Sequence, residues 1–477
     1  MADIIGRRDE LEVLKKALDS REAELIAIYG RRRIGKTYLI RNYYEDRIAF
    51  DLTGMNEGTL SAQLLQFSKS LQQATNAPLP LTPPDSWVNA FTALAQMLKT
   101  LSKRKKWVVF FDEFPWLNSR KSGFLEAFDH FWNTWASRQP HLIVVICGSA
   151  ASWMIDNIVN AKGGLHNRIT RSIRLLPFNL LETKDYLNSL SVKLDNYQIL
   201  QLYMALGGVP HYLRNVERGQ SATQTINKIC FTKTGTLRDE FDNLYQSLFE
   251  HADNHVKTVQ ALSKTSKGLT RQEIIDTCGF SSGGGTTNML NELEQSGFIQ
   301  SAVPYKKTSR EAIYRLVDEF SLFHLRFMDG IKITGDDMWT RMSNTNAYKI
   351  WCGMSFEAIC LKHIPQIKKA LGISGVHSEE SPWRYSGTKN AEGAQIDLLI
   401  DRADRTINVC EMKFYTDEFT IDKAYATELD RKMHVLREQT KTKKSLFLTF
   451  ITTYGVKKNE YSDKLVHKSL TMDLFFD

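Results

Sequence analysis

From the N-terminus to about residue 180, short apolar runs alternate with longer stretches in which apolar residues recur every three or four positions. The runs Leu25–Tyr29, Ile48–Leu52, Trp107–Phe111, Leu142–Cys147 and Ile173–Leu176 are apolar on both faces. That pattern predicts strands of a parallel sheet covered by helices on both sides. Between them, Phe124–Ala136 carries Phe124, Phe128, Phe131, Trp132 and Trp135 at helical spacing, a stripe suited to core packing. Residues 76–85 are rich in proline and predict a surface loop.

Beyond residue 180 the pattern changes. Residues 181–250 read as helices only, interrupted at Gly207-Gly208-Val209-Pro210. Residues 255–320 read as a helix, a second helix opened by the capping box Thr270-x-x-Glu273, the loop Ser281–Gly285, a third helix, and two strands flanking Pro304–Arg310. This order predicts a winged helix-turn-helix. After a polar stretch around 334–347, a final α/β segment runs to the end, and no internal repeat or low-complexity tract interrupts the chain.

The 477 residues predict between about two and four domains. Apolar content of 42% and a net charge of +8 are ordinary for a globular protein; the charge permits nucleic acid as a partner without requiring it. The cysteines at 147, 230, 278, 352, 360 and 410 show no zinc-like spacing and predict reduced thiols. No apolar run is long enough to cross a bilayer and the first residues lack a signal-peptide core, so no membrane contact and a cytoplasmic location are expected.

The chemistry is clearest at Ile26–Thr37. A strand is followed by Gly30-Arg31-Arg32-Arg33-Ile34-Gly35-Lys36-Thr37, and a helix begins at Tyr38. Strand, G-x-x-x-x-G-K-T, helix is the context of a phosphate-binding loop. Its backbone N–H groups and the helix N-terminus face phosphate oxygens; Lys36 reaches the β- and γ-phosphates, and the Thr37 hydroxyl suits Mg²⁺. Downstream, Val108–Phe111 delivers Asp112 to a strand end, where it suits the Mg²⁺ shell, and Glu113 follows as candidate general base. Leu142–Cys147 ends in Gly148-Ser149, which places a hydroxyl beside the γ-phosphate position. Arg168 and Arg171 precede the last strand; Arg168 is the favoured arginine finger, acting in cis or across a subunit interface through self-association.

These motifs bring a family into view. Gly6-Arg7-x-x-Glu10-Leu11, Tyr29–Thr37, Phe111-Asp-Glu-Phe114, Cys147-Gly-Ser149 and Gly207-Gly-Val-Pro-x-Tyr-Leu213 together resemble the archaeal-type AAA+ ATPase family, which belongs with the STAND-like signalling ATPases. The resemblance spans roughly residues 1–250. It implies ATP and Mg²⁺ as cofactors, a helical lid carrying Gly207–Leu213, and nucleotide-dependent switching. The chain departs from the family where Leu165-His166-Asn167-Arg168-Ile169 replaces the usual Tyr-Gly-Arg-Arg-Thr.

A second candidate site lies near the end. Gln395–Asp401 reads as a strand, Ala403–Arg405 as a turn and Ile407–Phe414 as the returning strand. Alternation puts Glu411 and Lys413 on one face, and the hairpin can bring Asp397 towards them. Carboxylates so placed suit a divalent cation, and a neighbouring lysine suits a metal-bound water or a phosphorane. With Glu357 on an upstream helix, this ensemble resembles the PD-(D/E)xK nuclease fold over about residues 350–450. The resemblance implies Glu357, Asp397 and Glu411 as metal ligands, Lys413 as catalytic, and Gln395 beside them. Evidence for DNA contact is divided. The third helix of the winged segment, Thr287–Gln295, offers acids and no basic residue, whereas the wing carries Lys306, Lys307 and Arg310. Lys441, Lys443, Lys444, Lys457 and Lys458 add basic character near the C-terminus.

The fold expected is therefore α/β and multidomain. It comprises a P-loop parallel-sheet ATPase core (1–180), a helical lid (181–250), a winged helix (251–330) and an α/β nuclease-like domain (348–477). The function expected is an ATP-hydrolysing switch coupled to a C-terminal domain that cleaves or binds nucleic acid, as a Mg-dependent deoxyribonuclease where it cleaves. The alternative is a non-cleaving ATP-dependent regulator or DNA-binding protein whose nuclease-like domain is an interaction module.

Overall fold

A computed structural model describes residues 4–159, 167–249, 251–331, 337–387 and 392–477. The chain divides into two compact units, Met1–Pro177 and Phe178–Asp477.

The first unit is built on β1 (Glu24–Tyr29), β2 (Ile48–Thr53), β3 (Trp107–Asp112), β4 (Leu142–Gly148) and β5 (Arg171–Arg174). They form a parallel sheet in the order β2-β3-β4-β1-β5. Side-chain alternation sends Leu25, Ala27, Val109, Phe111, Val144 and Ile146 to one face, against Trp87, Phe91, Phe124 and Phe128. It sends Ile26, Ile28, Val108, Phe110, Ile143 and Val145 to the other, against Leu14, Leu39 and Ile40. Both faces are thereby buried, as the unbroken apolar runs require. The aromatic stripe is core: Phe124, Phe128, Phe131 and Trp132 are buried, and their helix ends at Thr134, with a 3₁₀ turn over Ala136–Arg138.

β5 starts earlier than the expected Ile173–Leu176. At this sheet edge only Ile173 is buried, so Ser172 and Arg174 can complete the ladder while facing water, and Arg171 pairs with Glu24. Leu175 continues past the strand with its N–H on the Tyr29 carbonyl at 2.8 Å.

The second unit begins with helices Leu180–Ser189, Asn196–Leu206, Pro210–Leu213, Ala222–Phe231 and Glu240–Leu248. Gly208 stands where a Cβ would lie 1.8 Å from the Phe178 carbonyl oxygen, so only glycine fits there. Next come helices Ala252–Ser263, Arg271–Cys278 and Gly284–Gln295 with β6 (Leu269–Thr270), β7 (Ile299–Ala302) and β8 (Ile313–Leu316), a small sheet in the order β6-β8-β7. The Thr270–Glu273 capping box is formed. The third helix starts at Gly284, inside the segment expected to be loop, because the Thr286 side chain is buried and its hydroxyl donates to the Ser281 carbonyl. The polar stretch contains helix Met338–Met342, whose Trp339 stacks on Phe231 at 5.7 Å.

Helix Asn346–Lys362 leads to the C-terminal sheet of β9 (Ser378–Tyr385), β10 (Ala394–Arg402), β11 (Thr406–Lys413), β12 (Ser445–Thr452) and β13 (Lys468–Thr471), ordered β13-β12-β11-β10-β9. β9, β10 and β11 pair antiparallel, while β11, β12 and β13 run parallel. A parallel step needs a crossover, and helix Lys423–Thr440 supplies it between β11 and β12. One face of the sheet packs on that helix through Val409, Leu429, Leu436 and Phe450. The other joins one continuous core through Phe298, Phe320, Trp351, Phe356, Met412 and Phe475. The six cysteines are free thiols, and among the described residues no helix is long and apolar enough to cross a membrane.

His363, buried in this core, ties helix Leu180–Ser189 to helix Asn346–Lys362. Its Nε2 accepts the Leu180 N–H at 3.4 Å and its Nδ1 donates to the Ile359 carbonyl at 2.7 Å, an arrangement that uses the neutral ring fully. Burial holds its pKa down at about 4 from an ordinary 6.5. The unfolded chain takes up this proton first, so the neutral ring's contribution is complete above pH 6.5 and declines as pH falls from 6.5 to 4. Urea midpoints of the wild type should therefore fall across that window more steeply than those of His363→Gln; parallel slopes would contradict this.

Candidate functional site

Three strand ends build the first site. In the order β3-β4-β1, the C-terminal edge presents Asp112-Glu113, Gly148-Ser149 and the loop Gly30–Gly35 side by side. Gly30 starts the loop where a Cβ would sit 2.2 Å from the Leu175 carbonyl oxygen. Gly35, at φ 94°, turns the chain into helix Lys36–Tyr43. Arg33 also has positive φ, while Arg31 and Ile34 are buried. Arg32 lies over the Trp116 ring at 5.6 Å, and Tyr38 is 53% exposed at the helix start.

The Lys36 ammonium is folded onto the loop, donating to the Gly30 and Arg31 carbonyls at 2.8 Å each. Burial lowers its pKa, opposed by Cys147, Glu113 and Asp112. The Thr37 hydroxyl donates to Asp112 Oδ2 at 2.8 Å across 75 residues of sequence. Burial raises the Asp112 carboxyl, and the Thr37 hydrogen bond opposes that shift. A hydroxyl and a carboxylate converging on one point form a hard oxygen donor pair, which fits Mg²⁺. Glu113 adopts a left-handed backbone (φ 47°), and its Oε2 accepts from the Ser149 hydroxyl at 2.7 Å and the Ser149 N–H at 3.1 Å. Ser149 thus holds the candidate base.

Arg168 lies exposed ahead of β5, and Leu165 and His166 of its motif fall outside the described residues. Arg171 is bound to Glu24 at 2.9 Å inside the first unit.

Two arginines have roles that sequence reasoning did not assign. Arg7, itself left-handed (φ 59°), donates to the Leu176 carbonyl at 2.7 Å and the Ile34 carbonyl at 3.1 Å, clasping the loop to the chain after β5. Arg41 forks onto Asp51 at 2.8 and 3.1 Å and stands 4.0 Å from Asp112. Its position four residues after Thr37 was the available signal, since i and i+4 share a helix face.

The second site lies in the C-terminal sheet. Asp397 sits at a register shift of β10 and accepts from Gln395 Nε2 at 2.8 Å. Glu411 is buried and accepts from Lys432 at 2.8 Å and the Tyr425 hydroxyl at 3.0 Å, with Lys413 at 3.7 Å. Burial, with the Asp397 carboxylate nearby, raises Glu357 to about 8, opposed by Arg315 and Lys413. Glu357, Asp397, Glu411 and Lys413 therefore share one electrostatic neighbourhood. Yet among the described residues no three His, Cys, Asp or Glu side chains are grouped so as to hold a metal ion. As arranged, the carboxylates do not fit a divalent cation. Tyr425 and Lys432 were detectable in principle, because a spacing of seven repeats a helix face. Arg315 had no sequence signal, because it arrives from another sheet.

The basic segments are partly engaged. Lys306 donates to the Thr440 carbonyl, Lys307 pairs with Glu311, and Lys444 binds Asp401. On helix Gly284–Gln295, Glu292 pairs with His255 and Glu294 accepts from Ser301.

Residues 4–216 match a family described as an ATPase domain predominantly from Archaea. The segment is similar to that family and takes in the phosphate-binding loop. An uncharacterized protein of Methanocaldococcus jannaschii is 24% identical over 398 residues, covering 83% of each chain. An uncharacterized ATP-binding protein of the same organism is 44% identical over 43 residues, 9% of this chain and 73% of the relative. Among solved structures, a Walker-type ATPase of Pyrococcus abyssi is similar at TM-score 0.49 and 17% identity, covering 68% of this chain and 96% of that one. The ORC2 protein of Aeropyrum pernix, in ADPNP–ADP complexes, is similar at TM-score 0.42 and 13% identity, covering 72% and 96%.

In the first unit, Gly30→Ala drives a methyl group into the Leu175 carbonyl and must displace the loop. Titration with a fluorescent ATP analogue should show affinity reduced by roughly tenfold or more. Unchanged affinity would mean that the loop relaxes elsewhere.

Proposed function

We propose that this protein is an ATP-hydrolysing switch whose second unit is directed at nucleic acid. The observation that carries the first half is the alignment of Lys36, Thr37, Asp112, Glu113 and Ser149 on one sheet edge. ATP would draw Lys36 from the Gly30 and Arg31 carbonyls onto its phosphates. Thr37 and Asp112 would hold Mg²⁺, which neutralises phosphate charge when bound. Glu113 would polarise the attacking water after leaving Ser149. Arg168 remains the proposed finger, in cis or from a second copy.

For the second unit, three features support the reading. The order helix, β6, helix, helix, β7, β8 fits a winged helix. Helix Asn346–Lys362 followed by β9, β10 and β11, the crossover helix and β12 fits the PD-(D/E)xK layout. Glu357, Asp397, Glu411 and Lys413 lie at the matching positions. On this reading the domains span 1–180, 181–250, 251–330 and 348–477. The absence of a grouped metal-ligand set among the described residues favours a second reading, in which the nuclease-like domain grips a partner without cutting.

Two assays decide. Lys36→Ala and Glu113→Gln should each lower ATP hydrolysis by roughly 100-fold, with Glu113→Gln still binding ATP. Hydrolysis surviving in both would place the ATPase site elsewhere. DNA of linear, circular and single-stranded form is then incubated with Mg²⁺ or Mn²⁺, with and without ATP. Cleavage lost in Lys413→Ala supports the nuclease, whereas DNA bound but uncut in both proteins supports the second reading.

A further inference from the structure

The strands of the first unit run the same way, so the segments leading into them gather at the sheet edge opposite the phosphate loop. There, Lys103-Arg104-Lys105-Lys106 precedes β3, while Arg138 and His141 precede its neighbour β4. The Trp107 N–H donates to the His141 carbonyl at 2.8 Å, which sets the two leading turns side by side. No acid occurs in residues 86–111 or 130–155, so these turns carry cations alone. Carboxylates stand only on the flanks, with Glu45 and Asp46 ahead of β2 and Glu22 and Glu24 at the start of β1. The edge lies one strand of six residues, about 20 Å, from Asp112.

A short basic run is usually a loose, solvated face. This one is held in place. The Lys105 ammonium donates to the Asp46 carbonyl at 2.9 Å and lies 4.2 Å over the Trp107 ring. The Lys106 ammonium, on a residue 9% exposed, donates to the Glu22 carbonyl at 2.6 Å. A main-chain carbonyl positions an ammonium without cancelling its charge. Among the described residues none of the four cations forms an ion pair, and Lys103 and Arg104 are exposed. In the second unit, by contrast, Lys307 and Lys444 are paired with Glu311 and Asp401. The field of the run reaches the next turn: burial, with Lys103 and Lys106 adding to it, holds His141 below its ordinary 6.5.

We infer that this edge of the first unit is a docking surface for the phosphate backbone of duplex nucleic acid, gripped without regard to sequence. Ammonium and guanidinium groups whose charge is left uncancelled suit the regularly spaced phosphates of a duplex, and contacts of that kind carry no base preference. Single strands are gripped by stacking bases on open rings, whereas the ring at this edge, Trp107, is covered by Lys105. The surface belongs to the first unit alone and does not depend on the winged or nuclease-like segments.

The test is fluorescence anisotropy of a short labelled DNA duplex with the full-length protein, titrated over a series of salt concentrations. Lys103→Gln/Arg104→Gln should weaken binding roughly tenfold and flatten the slope of log affinity against log salt by about two. Arg120→Gln/Lys121→Gln removes the same charge from exposed positions beyond the other end of β3 and should leave the slope unchanged. The edge variant should hydrolyse ATP as the wild type does, which reports an intact fold. Should it fold poorly, the single variants Lys103→Gln and Arg104→Gln, each flattening the slope by about one, keep the test decisive. Equal losses in the two double variants would reduce the effect to bulk charge and overturn the surface. An unchanged slope in the edge variant overturns it too, whatever binding the second unit supplies, as does a wild type that binds no duplex. Polyglutamate held as tightly as DNA through Lys103 and Arg104 would reassign the edge to an acidic protein and overturn the nucleic-acid reading.

Discussion

Burying charge is the constraint around which both sites are arranged. An ionised group taken out of water costs several kcal/mol unless another charge or a set of hydrogen bonds answers it. In the first unit Lys36 is answered by two main-chain carbonyls, and Asp112 by a hydroxyl and the Glu113 N–H. In the second, Glu411 is answered by Lys432, Lys413 and the Tyr425 hydroxyl, and Asp397 by Gln395 and Arg315. Four of the answering groups, Thr37, Tyr425, Lys432 and Arg315, come from an element other than the one that carries the charge. The ion sites therefore hold the elements in register as much as the elements hold the sites.

The parallel sheet solves the placement problem in the first unit. Strands that run the same way deliver their following loops to one edge, so residues about 75 positions apart meet at hydrogen-bonding distance without any long-range sequence signal. The antiparallel β10–β11 hairpin cannot do this as simply, since its neighbouring strand ends point in opposite directions. The register shift in β10 re-aims Asp397, and a separate helix must bring Glu357.

Legibility from sequence followed this difference. β1, β3 and β4 were visible because burial on both faces leaves unbroken apolar runs, whereas β5, an edge strand with a single buried residue, was displaced. The phosphate loop was readable because its residues are contiguous and their conformations demand glycine at Gly30 and Gly35. Arg41 and Arg7 escaped because their partners, Asp51 and the Ile34 and Leu176 carbonyls, are set by tertiary packing. At the C-terminal cluster the carboxylates and Lys413 stood out, while β9, β12 and β13 did not. Arg315 was invisible because no local pattern marks a side chain that leaves its own sheet for another.

The Ser149–Glu113 pairing has a kinetic consequence. Two hydrogen bonds to an ionised carboxylate, at about 1.5 kcal/mol each, would leave it detached less than roughly one-hundredth of the time. With Glu113 as the proposed base, the bound nucleotide would wait on that rare excursion while its affinity stayed the same. The serine would then act as a clock: it would set how long the ATP-loaded form persists, and anything that engaged Ser149 would shorten that lifetime.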